Sequence, residues 1–261
     1  MTAGDLAGRQ PLLQDASRRA QAYLAGLAGR AVAPPPDAVE ALNALDFPLP
    51  ASGGPQSARP GGPRSLGGRR ARHRPQVAGV AEADSWATDA HKWLNTTYDC
   101  GISLVRDPAA LSAALAASAA YLPDSADREP SHFTPQSSQR ARGVEVWAVL
   151  AALGRDGVAD LVGRTCRLAR RVAAGMRESG FAVLNDVVLN QVVVDFGGAA
   201  RTDAVIDAVQ RDGTCWCGPT TWRGRRAMRI SVSGWSTTEE DIDASIAAIR
   251  VCAARSGAAS A

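Results

Sequence analysis

Apolar positions recur at helical spacing over residues 5–29, where Leu13, Ala16, Ala20, Tyr23, Leu24 and Leu27 form one stripe and Gly29 can end the helix. The triple proline Pro34 to Pro36 stiffens the chain, and Val39, Leu42 and Leu45 predict a second short helix. Two short amphipathic helices cannot bury both stripes on each other. Residues 1–47 therefore read as a helical arm that packs elsewhere in the chain or on a partner subunit. From 48 to 76 the apolar periodicity stops, and glycine, proline and six arginines between Arg59 and Arg74 take over. That composition predicts an unstructured linker. An arginine-rich nucleic-acid patch is the weaker reading, because no aromatics are interleaved to stack bases.

Order returns at Val77. A strand is expected at Ile102 to Val105, and Asp107 with Pro108 suits the N-cap and first turn of a helix reaching about Ala120. Residues 123–137 are polar and proline-bearing, which predicts a mobile loop. Beyond it, 138–261 alternates. Helices are expected at 140–153 and 157–179, closed by Gly154 and Gly180, and strands at 181–184 and 187–196. A helix at 203–211 and strands at 214–217 and 227–232 follow. The last helix opens on a capping box in Thr237-Thr238-Glu239-Glu240. This order predicts an α+β terminal domain, a sheet covered by helices.

Composition narrows the class. The chain has 261 residues, 46% hydrophobic and 21% charged, with net charge +3, which is ordinary globular composition and too little charge to imply a polyanion. No apolar stretch reaches membrane-spanning length, and the opening residues lack a basic n-region and apolar core. The expectation is a cytoplasmic protein with neither nucleic acid nor membrane as partner. The five cysteines are scattered and odd in number, so no disulfide framework is expected. Cys215 and Cys217 flank Trp216 in a strand-like run and are expected to leave opposite faces as buried apolar thiols rather than chelate zinc together. No metal site is expected.

Of the 29 basic residues, 28 are arginine and only Lys92 is lysine. A position that stays lysine in so arginine-biased a chain points to a need for a primary amine, which guanidinium cannot supply. His91 beside it, with Trp86 and Trp93 around, offers the cation and desolvation that make an amine nucleophilic. Schiff-base formation with a carbonyl cofactor suits this arrangement; an ordinary surface lysine is the alternative.

The run Asp84-Ser85-Trp86 through Asp89-Ala90-His91-Lys92-Trp93-Leu94-Asn95, then Tyr98-Asp99-Cys100-Gly101, resembles the lysine segment of pyridoxal-phosphate-dependent group II amino-acid decarboxylases. The resemblance extends from about Val77 to Val251, taking in Arg140-Ala141-Arg142-Gly143 with Trp147, and Gly218 to Thr238. It implies an α/β, fold-type-I architecture (pyridoxal-phosphate-dependent transferase-like), a homodimer, pyridoxal 5'-phosphate as cofactor and an L-amino acid as substrate. In it Lys92 would hold the cofactor as an internal aldimine, and His91 would lie near the phosphate or the substrate carboxylate. Asp89 would fall at a position near the phosphate where many members have asparagine; an ionised carboxylate there repels a phosphate dianion. Arg229 would bind a substrate carboxylate or make a structural ion pair. Near the loop, His132 and Phe133 stand where many members carry a proton-donating tyrosine, which opens side reactions such as oxidative deamination.

Most of the family's large domain has no counterpart between the arm and the lysine segment, where only residues 51–76 stand, without one aspartate or glutamate. The resemblance thus implies an internally shortened decarboxylase: residues 77–122 as a remnant of the cofactor domain and 138–261 as the small domain. Another fold-type-I enzyme such as an aminotransferase, and a catalytically dead remnant acting through subunit contacts, are the alternatives.

Overall fold

The computed structural model describes residues 3–26, 29, 40, 48, 50–51, 79–116, 129–136 and 138–258. The expected second helix around 39–45 and nearly all of the 48–76 stretch lie outside these residues. The chain divides into two units, residues 1–48 with 60–65, and 49–59 with 66–261. In the first, helix α1 spans Ala3–Ala25 with Pro11 inside it. Asp15 pairs with Arg18 and Arg19 one turn on, which draws its carboxyl below the usual range. Tyr23 and Leu24 of the expected stripe are exposed.

The second unit is built around a four-stranded antiparallel sheet. Ahead of it come β1 (Ser85–Asp89), the short helix α2 (Ala90–Trp93) and β2 (Gly101–Val105), which form a separate two-stranded ladder, then α3 (Pro108–Leu115). Asp107 caps α3 as the sequence predicts, its side chain accepting from the Ala109 and Ala110 N–H groups. The long helix α4 (Arg142–Glu178) breaks at Gly154, whose φ of 63° and ψ of −176° leave helical space. This agrees with the expectation of two helices parted there. The N–H groups of Arg155 and Asp156, orphaned at the new helix start, donate to the Pro50 and Ala51 carbonyls at 2.8 and 2.7 Å. Two residues of the stretch read as linker thus cap a helix.

The sheet follows as β3 (Ala182–Val183), β4 (Gln191–Asp195), β5 (Gly218–Trp222) and β6 (Arg225–Ser231) in the order β3-β4-β6-β5, with α5 (Ala199–Asp212) between β4 and β5 and α6 (Glu239–Ala258) last. The β-branched run Val192-Val193-Val194 is buried, as a central strand requires. Leu168, Val172 and Met176 of α4, Val205 and Val209 of α5, and Ile242 and Ile249 of α6 close on Val192, Val194, Met228 and Ile230 to form the core. Their spacing is that of single helical faces.

Two expectations shift. The strand expected at 214–217 is instead irregular chain, because Gly213 ends α5 in the left-handed region (φ 77°) and the strand begins only at Gly218. Its Pro219 is tolerated because β5 is an edge strand. The capping box is Thr238 with Asp241: the Asp241 N–H donates to Thr238 Oγ1 at 3.2 Å and the Thr238 N–H to Asp241 Oδ2 at 2.9 Å, one register beyond the pair expected.

Gly175 marks where α4 meets α6. A Cβ there would sit 2.8 Å from Ile246 Cδ1 and 3.0 Å from its Cγ2. We expect Gly175→Ala to destabilise the fold by about 1–3 kcal/mol despite alanine's better helix propensity. Adding Ile246→Ala should recover part of that loss, as read by urea unfolding.

Candidate functional site

β1 delivers the chain to Lys92. Its register with β2 runs from Ser85 opposite Val105 to Asp89 opposite Gly101, so the ladder ends where the lysine turn begins. The turn is fastened back to β2 at Cys100. The Ala90 N–H donates to the Cys100 carbonyl at 2.9 Å, and the Cys100 N–H donates to His91 Nδ1 at 3.1 Å. The same Nδ1 lies 3.0 Å from the Cys100 carbonyl oxygen, so the ring is seated on both backbone groups of Cys100. The His91 ring meets Tyr98 edge-on, with centroids 4.4 Å apart. Ala90 and Cys100 are buried beneath this pair.

Lys92 Nζ lies 2.5 Å from Asp89 Oδ2, and its side chain keeps 66% of its surface exposed. The ammonium holds the Asp89 carboxyl below the usual carboxylate range. The three residues expected at the site are therefore brought together: Asp89 on the amine, His91 turned onto Cys100.

Asn95 was not among the expected site residues. It adopts φ 52°, in the left-handed region that asparagine enters more readily than most residues. Its amide donates to the carbonyls of Lys92 at 3.0 Å and Ser233 at 2.9 Å, and its oxygen accepts from the Trp235 N–H at 2.9 Å. One side chain thus ties the lysine turn to the loop after β6. Only the φ preference of asparagine was visible beforehand; the partners are some 140 residues away. On the other flank, Arg142 Nε donates to the Asp99 carbonyl at 2.8 Å and its Nη2 to Asp99 Oδ1 at 3.0 Å, drawing the Asp99 carboxyl below its usual range. The Arg140-Ala141-Arg142 run thereby acquires a role in bracing the turn.

Other expectations fare differently. Arg229 stands on the exposed side of β6 and makes no ion pair among the described residues. Trp235 is exposed, and its backbone does the fastening. His132 and Phe133 lie in a short 3-10 helix, Pro130–Phe133. Cys215 and Cys217 do not leave opposite faces. Residues two apart share a side in extended chain, and here both thiols pack against the same core cluster. No cluster of three metal-binding side chains occurs among the described residues.

The fold is that of fold-type-I pyridoxal-phosphate enzymes, as the solved structures it resembles show. The family profile described as pyridoxal-dependent decarboxylase conserved domain matches residues 67–196, starting inside the stretch read as linker. Over those residues the chain matches the pyridoxal-phosphate-dependent decarboxylases, and pyridoxal phosphate is that family's cofactor. It is similar to tyrosine decarboxylase 2 of Narcissus pseudonarcissus, 26% identical over 65% of this chain and 37% of that protein. It is also similar to 3,4-dihydroxyphenylacetaldehyde synthase of Aedes aegypti, 24% identical over 63% of this chain and 33% of that protein. The solved structure of Oryza sativa TDC with PLP and tryptamine superposes with a TM-score of 0.62 at 20% identity, covering 69% of this chain and 40% of that one. The chain thus spans a third to two fifths of the length of these relatives.

The residues present fit the covalent half of the cofactor's attachment: a primary amine on a turn fastened at both ends. Thr96, in the same turn, adds a buried hydroxyl without a partner among the described residues, a donor free for a polar ligand atom. Among the described residues Asp89 is the carboxylate that pairs with this turn, through Lys92, while Asp99 is engaged by Arg142.

Asn95→Gly keeps the left-handed backbone and removes the amide. We expect hydrogen exchange across residues 90–96 to rise at least fivefold, since each of the three hydrogen bonds lost is worth a net ~1 kcal/mol, while the core strands β4 and β6 stay protected.

Proposed function

We propose that Lys92 is the covalent attachment point of pyridoxal phosphate and that the protein removes carbon dioxide from an L-amino acid, acting as a homodimer. The observation that carries this reading is the amine of the chain's single lysine, presented on a hydrogen-bonded turn between β1 and β2 in a chain that matches the decarboxylase family. When bound, the cofactor supplies an electron sink for the pair left as the carboxylate departs.

The chain's own residues act before and around that step. Lys92 binds, Asn95 and His91 fix the direction from which its amine approaches, and Arg142 braces the Asp99 end of the turn. Asp89 orients the amine through its ion pair and opposes a neighbouring phosphate by charge. In our reading residues 123–137 form a loop that closes over the site and excludes water. In our reading residues 1–47 form the arm, 77–122 the retained part of the cofactor domain and 138–261 the small domain, with the 48–76 stretch as a junction where the family's larger domain is shortened.

A second reading is favoured by one observation: Trp86 and Leu104, facing each other in the β1–β2 register, are both exposed. An apolar ladder open to solvent suits a remnant that works only through subunit contacts. The aminotransferase alternative gains no observation of its own.

The test is reduction with borohydride after mixing the folded protein with pyridoxal phosphate, followed by peptide mapping. We expect a pyridoxyl adduct on Lys92, loss of the tryptic cut after it, and no adduct in Lys92→Arg. Labelling no better than that of the unfolded chain would overturn the attachment and leave the contact-only remnant. Asp89→Asn frees the amine from its partner and removes a charge that repels phosphate, so its labelling should rise several-fold over the parent.

A further inference from the structure

The loop between α5 and β5 holds Cys215 and Cys217 with Trp216 between them. Gly213 turns the chain at the end of α5, its N–H donating to the Val209 carbonyl at 3.2 Å, and Gln210 Nε2 donates to the Cys217 carbonyl at 2.8 Å. This holds the loop against the helix it leaves. Trp216 points out, 76% exposed, so its two neighbours turn inward. Cys217 is 2% exposed within the core, and Cys215 is half-buried against the same cluster. The other three cysteines, Cys100, Cys166 and Cys252, are buried, which leaves Cys215 the most accessible thiol of the five.

Both thiols face the same core cluster, close enough to shift each other. The Cys217 thiol draws Cys215 down to about 7, with Ser245 of α6 adding to this against burial and the charge of Asp212. Cys215 and burial push Cys217 upward. One thiol is thus reachable, and its partner is buried beside it. Two residues apart on a bent chain, α-carbons come within the roughly 7 Å that a disulfide spans.

We propose that Cys215 and Cys217 form a redox-active dithiol that a small-molecule disulfide converts to an internal disulfide. The Cys215 thiolate attacks one sulfur of the small disulfide, forming a mixed disulfide and expelling one thiolate with the bonding electrons. Cys217 then gives its proton to solvent and attacks the Cys215 sulfur. The Cys215–Cys217 bond forms, the mixed disulfide breaks and the second thiolate leaves. Two protein thiols are oxidised and one small disulfide is reduced to two thiols. The site is independent of the cofactor reading, since neither residue contacts the lysine turn among the described hydrogen bonds.

The experiment exposes the reduced folded protein to oxidised glutathione, caps remaining thiols with iodoacetamide and digests with trypsin. The peptide 212–223 carries both cysteines and no other. We expect it to lose two hydrogens and resist capping, with the change reversed by dithiothreitol. In Cys217→Ser it should stop with one glutathione on Cys215. In Cys215→Ser it should remain unmodified. A wild-type peptide capped at both thiols, one carrying a lasting glutathione, or a cross-link from Cys215 to Cys252 would each overturn the proposal.

Discussion

Hydrogen bonds, not burial, hold the lysine turn, and the functional reading depends on them. α2 has only four residues, too short to be stable by itself, and of these only Ala90 is buried. What fixes it is a pair of fastenings: backbone and ring contacts to Cys100 on one side, and the Asn95 amide on the other. An amine on a free loop would sample many directions. An amine on this turn is presented in few, which lowers the entropic cost of binding a carbonyl ligand.

The fastening works because its far end is rigid. β6 is paired on both sides, by β4 and β5, and Val232 just beyond it is buried, its N–H donating to the Asn190 carbonyl at 2.9 Å. Residues 233–235 therefore emerge from the sheet at a defined point and offer Asn95 a fixed carbonyl and N–H. Arg164 of α4 adds to this by donating to the Thr237 and Trp235 carbonyls at 3.0 and 2.6 Å. The core of the sheet and its helices is thus linked to the chemistry through one loop, although no core residue touches the amine.

Much of this was legible in the residues. The histidine-lysine-tryptophan run, the Asp107 cap, and the helix breaks at Gly154 and Gly180 are local signals, and local signals read well. β1 was missed because Ser85–Asp89 has no apolar alternation; pairing with β2 makes it a strand. The strand expected at 214–217 followed side-chain propensity, which the left-handed turn at Gly213 overrides. The role of Asn95 and the shared inward facing of Cys215 and Cys217 depend on partners across the fold or on which way a loop bends. Neither is written in spacing.

The most direct measurement is visible-region circular dichroism of the folded protein mixed with pyridoxal phosphate. A chromophore held by a fixed amine acquires the handedness of its surroundings. The account predicts an induced band that disappears in Lys92→Arg and weakens in Asn95→Gly. Absorbance from bound cofactor without ellipticity, matching that of a free lysine peptide, would contradict a positioned amine.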